Sequence, residues 1–591
     1  MTRRALLLLA GLAAALALVP VSPAAAHALL EGTAPERGAV VETAPGQVVL
    51  RFSEPVEIAF GAVRVFAADG SELQQGEPFH PTRRDDEVAV RLRDDVEDGG
   101  YTVTYRVVSA DSHPVNGGFV FSVGDEAASP GASVADLLGD QGSGPVTSVA
   151  FTVARAVEYG AIALGIGVLA ILLLVWQPAL RATAGADEGW REAASAFARR
   201  ARTLLLAAAG AGALAALAAL ALQAATAEAT SLWSALGGVR EVLDTRFGVV
   251  WGLGVLVWVL VGLGAALRPQ AVPVLRPATV GAAGSALPGP GAWTWALVVP
   301  MLALALLPGL GGHAGVQDPV AVLPANVLHV LAAGAWIGGL AVLVAALPAA
   351  TRALEPADRT RLLSVAVGRF SGLALFSVAL LLLGGVVQSL LELGAVDDLW
   401  DTPFGRAIAI KAALVIVLLG LGAINRRRTL PRLRRGAQEG ASPGGAGVLL
   451  RRTLRAEVAL GVAALAVTGA LAGYPPATAV SAGPFSGSAD LGPARAELTV
   501  EPARAGSNEV HVYFFDRSDG RQYDAPKEVR FEASLPGKGI KPIRLEATKA
   551  GPGHYVLGAA ALSPPGDWRL ELVARISDFD ELRATYKVPI E

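Results

Sequence analysis

The sequence predicts a multidomain membrane protein: an extracytoplasmic antiparallel β-sandwich, an eight-helix transmembrane domain, and a second extracytoplasmic β-sandwich at the C-terminal end. Three observations predict it. Of the 591 residues, 53% are hydrophobic and only 17% charged, a balance too apolar for a water-soluble chain of this length. The long apolar runs are confined to residues 148–475. The stretches on either side, 27–124 and 495–591, alternate apolar and polar residues with the period of two that marks half-buried strands.

The first element is a leader. The chain starts MTRRALLLLAGLAAALALVP: two arginines, an apolar run, then small residues ending Ala24-Ala25-Ala26. That is the order of a secretory signal with an A-x-A cleavage site, so residues 1–26 are expected to be removed. A retained anchor is the alternative, but Pro20 and Pro23 interrupt a run already short for a span. Cleavage makes His27 a new amino terminus.

In the first sandwich, 27–124, the segment YTVTYRVV puts Tyr101, Val103, Tyr105 and Val107 on one face and Thr102, Thr104 and Arg106 on the other. QVVLRF, AVRVF, VAVRL and GFVFSV are further strands. A linker rich in small residues, 125–147, follows.

Eight spans are then expected near 150–176, 203–226, 247–267, 292–310, 323–347, 369–390, 404–424 and 453–473. The loop after the first carries Arg181, Arg191, Arg199, Arg200 and Arg202; that after the fifth carries Arg352, Arg359 and Arg361. The loop after the seventh includes Arg426, Arg427, Arg428, Arg432, Arg434 and Arg435. Glu392, Asp397, Asp398 and Asp401 follow the sixth instead. The positive-inside rule places the arginine-rich loops in the cytoplasm. Both flanking sandwiches then lie outside, as a signal peptide requires. A second linker, 476–494, leads to the sandwich 495–591, with strands in AELTVEP, NEVHVYFF, EVRFEAS and DWRLELVAR.

Several function classes fall away. Net charge is −3, which offers no basic surface to nucleic acid, and no P-loop or DKTG motif serves ATP. Cysteine is absent and methionine occurs only at Met1 and Met301, so a sulfur relay for a soft metal ion is excluded.

Harder metal chemistry is available. A terminal His27 offers its amine and its Nδ1, which close one chelate ring. The amine pKa of about 8 lets a metal displace its proton cheaply. SADSHPVNGGF completes the donor set: Asp111 and His113 are two apart, and Pro114 biases His113 toward an extended backbone in which both point the same way. Three nitrogens and one carboxylate oxygen suit Cu(II), with zinc as the rival.

The segments HALLEGTAPERGAVVETAPGQVVLRFSEPVE and YTVTYRVVSADSHPVNGGFVFSVG resemble the CopC copper-binding domain over almost all of 27–124. The resemblance implies His27, Asp111 and His113 as Cu(II) ligands, with Glu54 in the shell behind them. It also implies a Cu(II)-only domain, because the methionine-rich Cu(I) stretch of some members has no methionine here. His80 reads as an ordinary loop histidine.

In the fifth span, PANVLHVLAAGAWIGGLAVLV, spacings of three and seven put Asn326, His329 and Trp336 on one helical face. An ionisable group within a span is a functional candidate. His313, at the outer end of the fourth span, is expected on the same side. The alternative is an interhelical hydrogen bond from His329. GHA (312–314), HVLAAGAWIGGL, GRFSGLALFSVALLLLGG, DTPFGRAIAIKAALV and LRAEVALG resemble the CopD membrane domain, a family associated with copper entry into the cytoplasm. That resemblance favours His313 and His329 as a copper path. Arg406, Lys411 and Glu457 suit packing and charge pairing.

GPGHYVLGAAALSPPGDWRLEL resembles the Ig-like (YtkA-like) modules appended to copper-uptake membrane proteins. His511 and His554 there read as structural, each without a histidine neighbour in sequence.

Taken together, the residues imply a plasma-membrane copper-uptake protein whose outer domain captures Cu(II) and hands it to the membrane histidines. An extracytoplasmic copper chaperone or reductase is the further partner that such a path would need. A tethered Cu(II) scavenger without transport is the alternative. An enzyme of the copper-monooxygenase kind is a third reading, disfavoured because Asp111 fills the position that oxygen chemistry needs open.

Overall fold

The structure is a computed structural model. It describes residues 28, 30–58, 63–67, 69–82, 84–110, 114–124, 144–185, 187–227, 238–267, 292–312, 322–393, 396–474, 485–501, 503–518 and 521–590. The chain divides into two compact units, one helical and one built of strands.

In the strand-built unit, the first sandwich has two sheets. One has the order β1–β3–β7–β6, from Leu30–Ala34, Gln47–Phe52, Glu87–Leu92 and Gln74–Phe79. The other has the order β2–β9–β8–β4, from Val40–Val41, Pro114–Val123, Gly99–Ser109 and Val56–Glu57, with β5 (Val63–Phe66) also on β8. All pairings are antiparallel except β2 with β9. The alternation in the sequence explains the core. Val48, Leu50 and Phe52 from β3 meet Val103, Tyr105 and Val107 from β8 and Phe119 and Phe121 from β9. Strands expected in QVVLRF, AVRVF, VAVRL, YTVTYRVV and GFVFSV are all present. The second face of β8 departs from its expected polarity: Thr102 and Thr104 are buried as well.

The last sandwich is one run of eight antiparallel strands, β10–β11–β12–β15–β14–β13–β16–β17. They comprise Phe485–Leu491, Ala494–Glu501, Gly506–Asp516, His554–Leu562, Ile540–Gly551, Glu528–Leu535, Gly566–Arg575 and Glu581–Ile590 in that order. The run folds over a single core that includes Val512, Phe514, Phe531, Tyr555, Trp568 and Leu572. The Tyr586 hydroxyl closes it by donating to the Ala496 carbonyl at 2.9 Å.

Among the described residues the helical unit holds seven helices long and apolar enough to cross a membrane: Gly144–Thr183, Glu188–Ala227, Arg246–Leu267, Val322–Ala350, Pro356–Leu390, Pro403–Gln438 and Gly444–Leu471. The expected fourth span is a shorter apolar helix, Thr294–Leu310. Wide π-turns interrupt three of the long helices, at Ile171–Trp176, Gly334–Gly338 and Asn425–Thr429. At Gly338 the cause is close helix packing. A Cβ there would stand 1.8 Å from the Ala163 carbonyl oxygen, so only glycine lets the helices Gly144–Thr183 and Val322–Ala350 touch.

Candidate metal-handling sites

The predicted ligands His27, Asp111 and His113 lie outside the described residues, as does His313. Their described neighbours converge. β1 runs antiparallel to β3 with Leu30 opposite Phe52, so the chain before Leu30 heads toward the residues after Phe52. Ala28 is fully buried there. Val56 pairs with Ser109, which brings the end of β8 to the same edge. Val108 pairs with Pro114, so β9 starts where β8 ends.

Glu54 lies where these chains meet. It is 8% exposed, and its Oε1 accepts from the Ser109 hydroxyl. A carboxylate buried this deeply is retained where partners or a cation balance its charge. His80 lies apart, its Nδ1 2.7 Å from the Glu87 carbonyl, as a structural loop histidine should.

In the helix Val322–Ala350, the side-chain atoms Nδ1 of His329 and Oδ1 of Asn326 are both buried and have no hydrogen-bond partner among the described residues. An unpartnered buried polar atom is costly, about 1–3 kcal/mol each, so two on one helix stand out. Glycines face both. A Cβ on Gly384 would approach His329 Nδ1 to 3.5 Å, and one on Gly309 would approach Asn326 Oδ1 to 3.0 Å. Nδ1 of His329 therefore does not supply, among the described residues, the interhelical hydrogen bond that is the alternative reading of this histidine.

Trp336 does not continue this face in the simple way its spacing suggests. The π-turn Gly334–Gly338 breaks the 3.6-residue repeat, and Trp336 is packed in the helical core at 4% exposure. Glu457 is buried and accepts from Asn425 Nδ2 at 2.7 Å, while Asn425 Oδ1 accepts from Thr453 at 2.7 Å. Its partner is thus a neutral amide, where charge pairing was expected.

Sequence reasoning missed one cluster. His511 lies on the mixed face of its strand, Gly506–Asp516. Val510, Val512 and Phe514 form the core face, while Glu509, His511 and Tyr513 share the other. His554, 43 residues on, meets His511 there.

Comparison with known proteins bears on these sites. The family model of the CopC domain matches residues 30–124, and that of copper resistance protein D matches 364–471. Copper transport protein CutJ of Bacillus subtilis (strain 168) is 26% identical over 575 residues, 95% of either chain. Protein YobA of Escherichia coli (strain K12) is 33% identical over 98 residues, 17% of this chain and 79% of YobA. The crystal structure of CopC from Methylosinus trichosporium OB3b is matched at 26% identity and a TM-score of 0.16, over 17% of this chain and 94% of that one.

Proposed function

We propose, from the CopC and CopD domains that this one chain carries, that it imports copper across the plasma membrane. The observation that carries this reading is the union of both domains in one chain, with a relative along 95% of its length that is named a copper transport protein. Residues 1–26 are the leader, 27–124 the copper-capturing sandwich, 148–475 the eight-span domain and 495–591 the outer C-terminal sandwich. The linkers are 125–147 and 476–494. Both sandwiches face outward.

The capture step uses the amine and imidazole of a new N-terminal His27 with His113 and Asp111. Two neutral imidazoles and an amine favour Cu(II) over hard cations, and Asp111 offsets part of the charge. Glu54 adds a second negative group beside them. The membrane step uses His329 and Asn326, with His313 at the outer entrance. What supports it is the pair of buried polar atoms left without partners, which a passing ion would satisfy. The absence of sulfur ligands and of an ATP motif keeps one second reading in view, a membrane-held Cu(II) trap that needs only the N-terminal site.

The test compares native chain, His27→Ala, His329→Ala and empty vector in a host lacking its own importer, at low external copper and matched membrane abundance. Import predicts more cytoplasmic copper with the native chain and its loss in His329→Ala. Copper held only at the cell surface, lost in His27→Ala and indifferent to His329→Ala, overturns import and leaves the trap.

A further inference from the structure

The helices Pro356–Leu390 and Pro403–Gln438 leave an open cleft of about 480 Å³ between them. Ser364, Val365, Gly368 and Arg369 line it from the first helix, Arg434 and Gln438 from the second. Its depth in a bilayer follows from the charges. Residues 370–391 carry none, and 22 residues of helix at about 1.5 Å each span about 33 Å, close to the hydrocarbon thickness of a membrane. Arg369 therefore stands at one boundary of the apolar layer, at the level of lipid headgroups. Across the cleft, the end of the second helix buries Leu430 and Leu433 and sets Arg434 against the first helix. A Cβ on Gly368 would stand 3.4 Å from Arg434 Nη2, so this glycine gives the guanidinium room beside Arg369.

We propose that this cleft binds the phosphate headgroup of an anionic membrane phospholipid, clamped between Arg369 and Arg434. Both arginines are exposed, and neither makes a hydrogen bond or ion pair among the described residues. Two neighbouring cations are engaged: Arg361 donates to Asp358 and to the Thr183 carbonyl, each at 2.9 Å, and Arg426 donates to the Ser371 hydroxyl at 3.0 Å. Among the described residues no carboxylate lines the cleft. Two guanidiniums from different helices thus face one space with no counter-ion of the protein's own. A phosphodiester supplies that charge, and its oxygens match the forked N–H groups of arginine. The Ser364 hydroxyl already donates to the Arg361 carbonyl at 2.8 Å. The donors left for the anion are the two guanidiniums and the Gln438 amide.

A lipid fits better than a free anion because the cleft continues into the apolar layer. Gly368, Gly372 and Phe376 follow at intervals of four, so they form one row along the first helix. A Cβ on Gly372 would meet nothing within 4 Å, which leaves a shallow track above the arginines. Phe376 further along it is 38% exposed, and Ile424 on the second helix is 37% exposed. An acyl chain leaving the headgroup would cover these surfaces, and inorganic phosphate would not. Basic pockets between membrane helices at headgroup depth recruit acidic lipids by this combination of charge and apolar contact. The inference rests on the apolar helices and the cleft, and it stands whether or not the chain imports copper.

The test uses the full chain in detergent micelles, supplied with phosphatidylglycerol and phosphatidylcholine of the same acyl chains and examined by native mass spectrometry. The native chain should retain phosphatidylglycerol in preference to phosphatidylcholine. Arg369→Gln and Arg434→Gln should each cut that preference about fivefold, the equivalent of about 1 kcal/mol per arginine at a membrane surface. Gly368→Leu fills the cleft without changing charge and should cut it as well. Arg432→Gln removes the same charge outside the cleft and should leave the preference within about twofold. Equal retention of the two lipids by the native chain overturns the site, as does an equal loss in Arg432→Gln and Arg434→Gln. Displacement of the lipid by millimolar inorganic phosphate also overturns it, because the cleft would then be a free-anion site. Should Gly368→Leu fail to fold, the exposed arginines still decide.

Discussion

The candidate residues of the two sandwiches differ in how far apart they stand in sequence. In the first, Asp111 and His113 are two residues apart, a spacing that predicts one shared side in an extended backbone. In the last, His511 and His554 are separated by 43 residues and meet only because β12 and β15 pair in one register. The first pairing survives any change that spares its local backbone. The second exists only while the sheet does. A slip of one residue would turn His511 into the core and Val512 out of it, so the cluster depends on the same burial that fixes the register.

The sharpest way to break this comparison is through the C-terminal core. Trp568 is 1% exposed, and its Nε1 donates to the Pro564 carbonyl at 3.0 Å. Trp568→Ala should cost about 3–5 kcal/mol of that sandwich's stability. Hydrogen exchange of the full chain in nanodiscs should show β12 and β15 losing protection while β8 and β9 keep theirs. Copper capture in the first sandwich should persist. Equal loss of protection in β8 would mean that the two sandwiches fold as one and that the contrast is not real.

The same contrast explains what was legible in the sequence. Strands β3, β5, β7, β8 and β9 were readable because each alternates over four or more residues against one core. The membrane helices were readable because length and apolarity suffice. The fourth, Thr294–Leu310, is the short one, and Pro300 and Pro308 lie within its run. Asn326 and His329, three apart on one helix, fall within reach of periodicity. Trp336 did not, because it sits inside the π-turn Gly334–Gly338, where the 3.6-residue repeat fails. The meeting of His511 with His554 was not legible, because the two are 43 residues apart and meet only through the register of β12 and β15. Tyr513 is a platform for His554 on the face opposite the core. The weak available signal was Glu509, a charged residue on the same face of an otherwise apolar strand.

A smaller effect sharpens the comparison by pH. His554 is held down to about 3 by burial, against about 6.5 for a free histidine. Between these values the unfolded chain binds the extra proton, so stability rises with pH there and is lost as pH falls below 6.5. At pH 5 the loss is about 2 kcal/mol, from roughly 1.5 units at 1.36 kcal/mol each. The opening free energy of β12 and β15, taken from hydrogen exchange after correction for the intrinsic slowing of exchange in acid, should therefore fall between pH 7 and pH 5, and His554→Gln should flatten the response. Persistence of the full response in His554→Gln would assign it to other groups.

The smallest effect concerns the contact between the two sandwiches. Arg37 donates through NH1 to Glu501 Oε2 and through NH2 to the Leu30 carbonyl, both at 2.8 Å. The ion pair is partly open, with side chains 17% and 37% exposed, so water compensates most of what Arg37→Ala removes. The expected cost is about 1 kcal/mol or less. Hydrogen exchange in the variant should show the opening free energy of β1 and β11 lowered by no more than that amount. A larger loss confined to β1 would identify Arg37 as the anchor of Leu30 at that strand's start. A large and equal loss in both strands would mean that the contact couples the two sandwiches, and the contrast between them would have to be given up.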